Sequence, residues 1–365
     1  MRIDAYELWI GNLKGISVSK KISLHEIFGT GRDIYVHCNE IDLAHMKVIT
    51  AKEHELLIQS KKDIIKAERE WERLLLGGIR YIPFAHPDYP KKLSYINENP
   101  YALYVKGSLP DPNKESVAIV GARECSAYGE TMTVEICESL ATYDVTIISG
   151  MARGIDGAAH RGALSKEGDT FAVLGCGVNI CYPKEYGGLY QEISERGGIL
   201  SEYPLDMQAK SYHFPARNRI ISGLSNRVIV MEAKEKSGSL ITADFALEQG
   251  KDVFALPGPV TSALSRGCNR LISQGAGIIC GASGLLFELG LIEQNIGEKN
   301  EENKKALERV NNLVYSCLDF YPKNFEQLIE ETKLPPSELL EELVMLELEG
   351  YIKEISKNYY RRIKI

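Results

Sequence analysis

The stretch that decides the fold is VTIISGMARGIDGAAHRGAL, residues 145–164. It opens with an apolar, β-branched run, which is typical of a buried parallel strand. The run breaks at Ser149-Gly150, and a helix of small residues begins at Gly154. A strand, a glycine turn and a helix N-terminus in this order present backbone N–H groups and the positive helix end to an anion. With Arg153 at the turn, the segment predicts a phosphate-binding site.

Short apolar runs alternate with helix-like stretches from Val117 onward. The runs are VAIVG, VTIIS, TFAVLG, GILSE, RVIVME, DVFALPG and GIIC. Such alternation is typical of a doubly wound parallel sheet. We therefore predict an α/β domain over residues 79–292, built on a Rossmann-like, doubly wound, mostly parallel sheet.

The flanking regions predict two further units. Residues 1–78 have helix-like apolar spacing, with a long amphipathic helix predicted over Ile58–Leu76. Residues 293–305 are charged and poor in apolar side chains, as in a linker. Residues 306–365 show three helical faces followed by an alternating, hairpin-like run, which predicts a winged-helix unit.

Composition excludes several classes of protein. The 365 residues carry a net charge of −7, so the whole surface cannot coat nucleic acid, and any such site must be a local groove. The eight cysteines form no C-x-x-C pair and no metal-ligand spacing with histidine. Neither an N-terminal apolar signal nor a membrane-length apolar run occurs in the sequence. We expect a reduced, cytoplasmic protein with no membrane partner.

Two more turns after predicted strands suit an anion. Gly121 allows a ligand close to the backbone, and Arg123 can hold a phosphate. Alternatively, these two residues only serve a tight turn and a helix start. The run KSGSLIT, with Gly238, Ser239 and Thr242, places glycine and serine at a helix N-terminus, where a simple N-cap is the alternative.

A third turn adds an aromatic side chain. Phe214, Arg217, Asn218 and Arg219 follow Lys210, and together they resemble the side chains of a groove for single-stranded nucleic acid. A core phenylalanine and two surface arginines at a helix start are an equally good interpretation of this run alone. Its co-occurrence with other anion-ready turns favours the groove.

The carboxyl ends of parallel strands meet at one rim of a sheet, so these turns should form one groove. A groove with several phosphate sites and an aromatic side chain fits a polymer better than a mononucleotide. The predicted DNA-binding residues are Gly121, Arg123, Ser149, Gly150, Arg153, Gly154, Lys210, Phe214, Arg217, Asn218, Arg219, Gly238, Ser239 and Thr242.

Cofactor and catalytic signatures are missing from the sequence. No P-loop run occurs, and no dinucleotide fingerprint with its ribose-binding acid follows a strand. No G-x-S-x-G elbow or H-x-x-x-H metal pair is present. Asp156 suits the helix dipole better than catalysis, and His160 on an alanine-rich helix is better explained as structural. We expect no cofactor, no metal, no catalytic residue and no enzymatic activity.

Several of these motifs, in this order, resemble the bacterial DNA-processing protein A (DprA or Smf) family. They are GAR (121–123), SGMARGID (149–156), GCGVNICYP (175–183), SEYP (201–204), FPARNRIISGLS (214–225), SGSLITADFALEQG (237–250), ALPGP (255–259) and GCNRLISQGA (267–276). The similarity covers about residues 79–290. The flanks resemble that family's sterile-alpha-motif-like helical domain and its winged-helix domain.

The resemblance implies a single-stranded DNA-binding protein of natural transformation, which protects incoming strands and helps load the RecA recombinase. It also implies a homodimer formed through the Rossmann-like domain, without established catalysis. By position, Arg123 corresponds to a phosphate-binding residue and Phe214 to a base-stacking residue. Two alternatives stay open, a nucleotide-binding sensor and a nucleoside monophosphate phosphoribohydrolase. The turn KSGSLITADF lacks the paired glycine and the glutamate of those hydrolases.

The predicted third helix of the winged-helix unit is acidic. It carries Glu338, Glu341, Glu342, Glu347 and Glu349, and phosphates would repel it. We therefore expect this unit to contact protein or to support a dimer. Its basic tail, with Lys353 and Arg361, leaves a contact between the wing and DNA open.

Overall fold

A computed structural model describes residues 4–39, 43, 47–292, 313–319, 321–348 and 350–363. The chain forms two compact units, Met1–Glu124 with Thr133–Ala282, and Cys125–Met132 with Ser283–Ile365. Among the described residues, no helix combines the length and the apolar character that a membrane span requires. The predicted linker, residues 293–305, lies outside the described residues.

The helices and strands are numbered here in chain order. The helices are α1 (Ala5–Asn12), α2 (Val18–Phe28), α3 (Gly31–His37), α4 (Ala51–Ser60), α5 (Ile64–Leu76), α6 (Ala127–Thr142), α7 (Ile155–Ser165), α8 (Gly187–Arg196), α9 (His213–Leu224), α10 (Gly238–Glu248), α11 (Arg266–Ser273), α12 (Ala282–Glu288), α13 (Leu313–Cys317), α14 (Phe325–Thr332) and α15 (Pro336–Leu348). The strands are β1 (Ile79–Pro83), β2 (Ala102–Gly107), β3 (Ser116–Val120), β4 (Thr146–Ser149), β5 (Thr170–Val173), β6 (Gly198–Ser201), β7 (Arg227–Val230), β8 (Val253–Ala255), β9 (Gly277–Ile278), β10 (Lys323–Asn324), β11 (Ile352–Ser356) and β12 (Tyr359–Arg362).

The main sheet of the first unit has the strand order β1-β2-β6-β5-β4-β3-β7-β8-β9. The strands from β6 to β9 in this order run parallel, whereas β1 and β2 add an antiparallel edge. The predicted α/β, mostly parallel sheet is confirmed. From β3 the chain adds β4, β5 and β6 in turn on one side, and it then returns to place β7 on the other side of β3. A crevice at the carboxyl ends of β3 and β7 follows from this reversal.

Among the described residues, two large apolar clusters pack against this sheet. One joins α1 to α5 with residues such as Tyr81 and Tyr104 of the antiparallel edge and Leu174 after β5. The other packs α9 and α10 against β3, β7 and β8. The N-terminal helices therefore share a core with the sheet, and the domain boundary at residue 78 stays a prediction.

The long helix predicted over Ile58–Leu76 is interrupted. The structure has α4, a 3₁₀ turn at Lys61–Asp63, and then α5. A long-range hydrogen bond accounts for the interruption. The Trp9 indole donates to the Ser60 carbonyl over 3.0 Å. That carbonyl would otherwise accept from the amide four residues later and continue the helix.

The second unit contains α13, α14, α15 and a three-stranded sheet in the order β10-β12-β11. Its core includes Val314, Leu328, Leu343 and Tyr360. The predicted winged helix is confirmed by this arrangement of three helices and a β11–β12 hairpin. Residues 306–312, the start of the predicted winged-helix unit, lie outside the described residues.

Candidate nucleic-acid interface

The predicted turns meet at the carboxyl end of the parallel sheet. A cavity of about 280 Å³, called the recess below, lies between the end of β3, one face of α9 and the N-terminus of α10. A smaller cavity of about 60 Å³, called the side pocket, lies at the ends of β4 and β5. Phe214 and Arg123 line both cavities. The crevice predicted from the strand order is therefore a real concave site.

Phe214 forms an aromatic platform between the two cavities. Its half-buried ring lies 5.6 Å from the ring of Tyr182, centroid to centroid, with the planes 32° apart. The exposed guanidinium of Arg123 lies 4.9 Å from the Phe214 centroid, within reach of a cation–π interaction. A base stacked on Phe214 would thus have a positive charge beside it.

Tyr182 was missed by the sequence reasoning. It lies in the loop that follows β5, and it lines the side pocket. The signal was available, because an aromatic residue in a loop at the carboxyl end of a parallel strand is placed where ligands bind.

Arg217 lies beneath the platform and is buried, with 4% of its surface exposed. Its Nη1 donates to the carbonyl of Gly150 over 2.8 Å and also to the carbonyl of Val173. Burial lowers the pKa of Arg217, and the nearby Asp156 carboxyl opposes that shift. This guanidinium joins the ends of β4 and β5 and also lines the recess, so its predicted phosphate contact stays a prediction.

Asn218 has a similar supporting position. Its Nδ2 donates to the Gly238 carbonyl over 3.1 Å, and its Oδ1 accepts from Arg217 Nε over 3.2 Å. The bond to Gly238 ties α9 to the first residue of α10, and the bond from Arg217 lies within α9. Asn218 also lines the recess, so a contact with a ligand stays a prediction.

Two predicted residues lie away from the groove. Ser149 is fully buried, and its hydroxyl donates to the Ile119 carbonyl over 2.6 Å, which links β4 to β3. The Arg219 guanidinium binds both carboxylate oxygens of Glu202, at 2.8 and 2.6 Å. Because both side chains are engaged inside the fold, their predicted contacts with DNA are corrected to structural roles.

The first turn of α7 is shaped by glycines. Gly154 has φ +71° at the N-cap, and a Cβ there would lie 2.3 Å from the Ala122 carbonyl. A Cβ on Gly150 would lie 2.4 Å from the Arg217 guanidinium. Gly154 therefore requires glycine, because its φ is positive and its neighbour is backbone, whereas the neighbour of Gly150 is the end of the Arg217 side chain. A Cβ on Gly121, which lines the recess, would lie 2.6 Å from the Ile155 side chain.

Asp156 and His160 follow in α7 and are both buried. The Asp156 carboxylate accepts from the Ala152 amide over 3.3 Å, and burial raises its pKa against the pull of Arg217 and Arg123. His160 lies within 2.6 Å of the Thr170 hydroxyl, and burial lowers its pKa to about 3. The buried position of His160 fits the structural role predicted for it.

Two predicted cations are exposed at the site or near it. Arg153 lines the side pocket, and its Nε donates to Glu185 over 2.5 Å. This ion pair is exposed on both sides and therefore weak, so a phosphate can displace it. Lys210 is exposed beside Tyr212, 5.8 Å from that ring. Neither cavity includes Lys210, so its contact with DNA stays a prediction.

The N-terminus of α10 forms one wall of the recess. Ser237 is the N-cap, as the simpler interpretation predicted, and its Oγ accepts from the Ser239 amide. Gly238 is exposed, whereas Ser239 and Thr242 are buried, and all three line the recess. The structure therefore brings this turn, Arg123 and Phe214 to one concavity, as the sequence predicted.

Comparisons with known proteins show which family the chain matches. Residues 80–290 match the sequence profile of DNA recombination-mediator protein A, and residues 298–356 match that of the DprA winged helix domain. The protein Smf of Escherichia coli K12 is 41% identical over 288 residues, which is 77% of this chain and 76% of that protein. The DNA processing protein DprA of Streptococcus pneumoniae R6 is 44% identical over 200 residues, covering 55% of this chain and 71% of that protein.

Two solved structures are similar to this fold. The X-ray structure of DprA from Streptococcus pneumoniae has a TM-score of 0.67 and 34% identity, covering 79% of this chain and 99% of that one. A structure of DNA processing protein A from Helicobacter pylori, described for its single-stranded DNA binding mode, has a TM-score of 0.52 and 31% identity. It covers 58% of this chain and 95% of that one. The family resemblance of the motifs is confirmed.

Proposed function

The chain belongs to the DNA recombination-mediator protein A family, and from that premise we propose that it binds single-stranded DNA along the rim of its parallel sheet. The observation that carries the proposal is the pairing of Phe214 with Arg123 between two concavities. Every base has a face that can stack on an aromatic ring, so such a platform binds single strands with little sequence choice. Duplex bases are already stacked on each other and cannot use it.

The charges at the groove are local. The whole chain is acidic, with a net charge of −7, yet Arg123 and Arg153 are exposed at the cavities that Phe214 lines, and Lys210 is exposed beside Tyr212. The N-termini of α7 and α10 add positive helix ends at the same rim. This supports a narrow electropositive track for the phosphate backbone rather than a basic surface.

The cellular role is part of the same proposal. The protein takes part in natural transformation in the cytoplasm, where it protects incoming strands and helps load the RecA recombinase. It acts as a homodimer through the sheet domain, and it acts by binding rather than by catalysis. Family membership and the groove for single strands support this role, and the alternatives of a nucleotide sensor and a phosphoribohydrolase become outcomes of the test.

The winged-helix unit contacts a protein rather than duplex DNA in this proposal. Its third helix, α15, exposes Leu340, Val344 and Leu348 at a spacing of four residues. These apolar side chains form a stripe on the solvent side, because helix positions four apart lie on one face. Glu341 and Glu347 flank the stripe, and phosphates would be repelled there.

The test is a fluorescence-anisotropy titration of the full chain with oligo-dT, a duplex and AMP across a series of salt concentrations. We expect tight binding of oligo-dT, weak binding of duplex and a steep loss of affinity with salt. Phe214→Ala should cost about 1–3 kcal/mol with little change in salt slope. Arg123→Ala should weaken binding and reduce the slope by roughly one unit.

Matched controls remove an arginine and an aromatic side chain that lie outside the groove. Arg69→Ala deletes an exposed arginine of α5, and Tyr95→Ala deletes an exposed aromatic. Both should keep the wild-type affinity for oligo-dT. Unchanged affinity in the Arg123 and Phe214 variants would reject the groove, and release of free base from AMP would favour the hydrolase.

A further inference from the structure

The recess contains a buried hydroxyl group that the fold leaves without a partner. Thr242 lies in the second turn of α10 and has no exposed surface, yet it lines the recess. Its Oγ1 finds no hydrogen-bond partner among the described residues. The usual acceptor for a helical threonine is the carbonyl four residues before it, which is Gly238 here, and that carbonyl already accepts from Asn218. An unpaired buried hydroxyl destabilises a protein, so its retention at a cavity wall points to a ligand.

Other donors surround this hydroxyl. The Ser237 and Ser239 oxygens lie 2.8 Å apart and share one hydroxyl proton, which leaves the second for a ligand. No acidic residue stands in the first turn of α10, so its positive end is not neutralised within the helix. Arg123 lines the same recess and supplies a full positive charge. This set of hydroxyl, amide and guanidinium donors suits a phosphate group.

We expect the recess to accept a terminal group better than the middle of a strand. Its floor consists of Asp156, Arg217 and Thr242, which are all at least nine-tenths buried. A phosphodiester within a strand needs room for two ester substituents, one on either side. A phosphate monoester has a single ester substituent, which can extend out through the mouth of the recess. Its three free oxygens can then accept hydrogen bonds from the donors of the recess. The volume of about 280 Å³ also suits one terminal nucleotide rather than a longer segment.

We infer that the recess binds a phosphate monoester, either at the end of a DNA strand or on a free nucleotide. This inference rests on the proposed function, because it assigns a particular ligand to one part of the same groove. Phe214 stacks the base at the mouth, and Thr242 donates its hydroxyl to a phosphate oxygen. Among the described residues that line the recess, Asp156 is the one with a carboxyl group, and it accepts from the Ala152 amide on the side of α7.

The test compares oligo-dT bearing a 5′-phosphate, a 3′-phosphate or no terminal phosphate, together with dTMP and thymidine. We expect the preferred phosphorylated strand to bind roughly tenfold more tightly than the unphosphorylated one, as for a charge-assisted set of hydrogen bonds. Binding of dTMP but not of thymidine identifies free nucleotides as a second source of the ligand. Binding of phosphorylated strands alone identifies the strand end as the source.

Thr242→Val is the decisive variant, because it keeps the shape of the side chain and removes only the hydroxyl. We expect it to lose most of the preference for a terminal phosphate, and Thr242→Ser to keep it. Because the hydroxyl is unpaired without ligand, Thr242→Val should also unfold at an equal or higher temperature than wild type. Reduced affinity thus cannot be attributed to a damaged fold.

Two results would overturn the inference. One is equal affinity of the wild-type protein for all three oligonucleotides together with no binding of dTMP. The other is a terminal-phosphate preference that survives in Thr242→Val. Failure of the proposed function looks different, because Arg123→Ala and Phe214→Ala would then leave binding of unphosphorylated oligo-dT unchanged.

Discussion

Replacing Arg219 with methionine should damage the fold and leave the DNA groove intact. The Arg219 guanidinium pairs with both oxygens of Glu202, and its Nε donates to the Glu98 carbonyl over 2.9 Å. The side chains of Arg219 and Glu202 are 10% and 18% exposed. Arg219→Met therefore leaves the poorly solvated Glu202 carboxylate without its ion-pair partner. It also leaves the Glu98 carbonyl without its hydrogen-bond donor.

The expected loss is about 3 kcal/mol in the free energy of unfolding. Breaking a buried ion pair from one side costs about 3–5 kcal/mol, and the residual exposure of Glu202 places this pair at the lower end. Replacing both partners also removes the unpaired charge of Glu202. The double variant Arg219→Met with Glu202→Gln should therefore be about 2 kcal/mol more stable than Arg219→Met alone.

Urea unfolding followed by tryptophan fluorescence measures this loss, because Trp9 and Trp71 both lie in the first unit. The matched control is Arg123→Met, an exposed arginine whose removal should change stability by less than about 0.5 kcal/mol. The affinity for oligo-dT should show the opposite pattern. Arg123→Met should bind oligo-dT more weakly than wild type, and Arg219→Met should bind it as wild type does under conditions in which it is folded. A folded Arg219→Met protein with tenfold weaker DNA binding would refute the assignment of this side chain to the core.

Three further changes test other parts of the structure. Gly154→Ala forces a Cβ to within 2.3 Å of the Ala122 carbonyl at a φ of +71°, so it should cost at least about 1 kcal/mol of stability and weaken oligo-dT binding. Retained affinity and stability in urea and anisotropy measurements would contradict this. Burial lowers the pKa of His160 from 6.5 to about 3. Below pH 6.5 the unfolded chain therefore binds a proton that the native protein does not bind, and the free energy of unfolding falls as the pH drops. The loss between pH 8 and pH 5 should be about 2 kcal/mol smaller in His160→Gln than in wild type, and equal losses in urea unfolding would argue against a neutral buried histidine. Leu340→Glu with Val344→Glu on α15 should change the affinity for oligo-dT and for duplex by less than about twofold, and a larger drop in anisotropy titrations would place α15 on DNA.

The sequence predicts the sheet well because its strands have an unambiguous signal. Runs such as VAIVG and RVIVM are too short and too β-branched for helices, and glycine or polar residues bound each of them. The carboxyl ends of such strands share one rim, so the sequence alone predicts that Arg123, Phe214 and the start of α10 lie close together. The interruption between α4 and α5 could not be predicted, because it depends on an indole 51 residues away in the chain.

Prediction was weaker for the arginines of α9, although the helical period contains the answer. Positions 214, 217, 218 and 221 share one face, and all four line the recess. Arg219 is five residues from Phe214 and falls outside that face. The helical period places Arg217 towards the groove, but it cannot show that this side chain is buried in the floor of the recess. Burial of that guanidinium depends on two carbonyl groups at the ends of β4 and β5, which only the assembled sheet brings together.

Features that oppose stability are concentrated at this rim. Arg217 is buried with carbonyl groups as its direct hydrogen-bond acceptors, Thr242 has an unpaired hydroxyl, and Gly154 adopts a positive φ. Met151, between β4 and α7, also has a positive φ of 57° while being fully buried. Each feature costs free energy that a core of apolar side chains would not, and natural sequences accept such costs mainly where a ligand is bound. A site built in this way is formed before the ligand arrives, so DNA binding should order little of the first unit beyond the side chains that touch the strand.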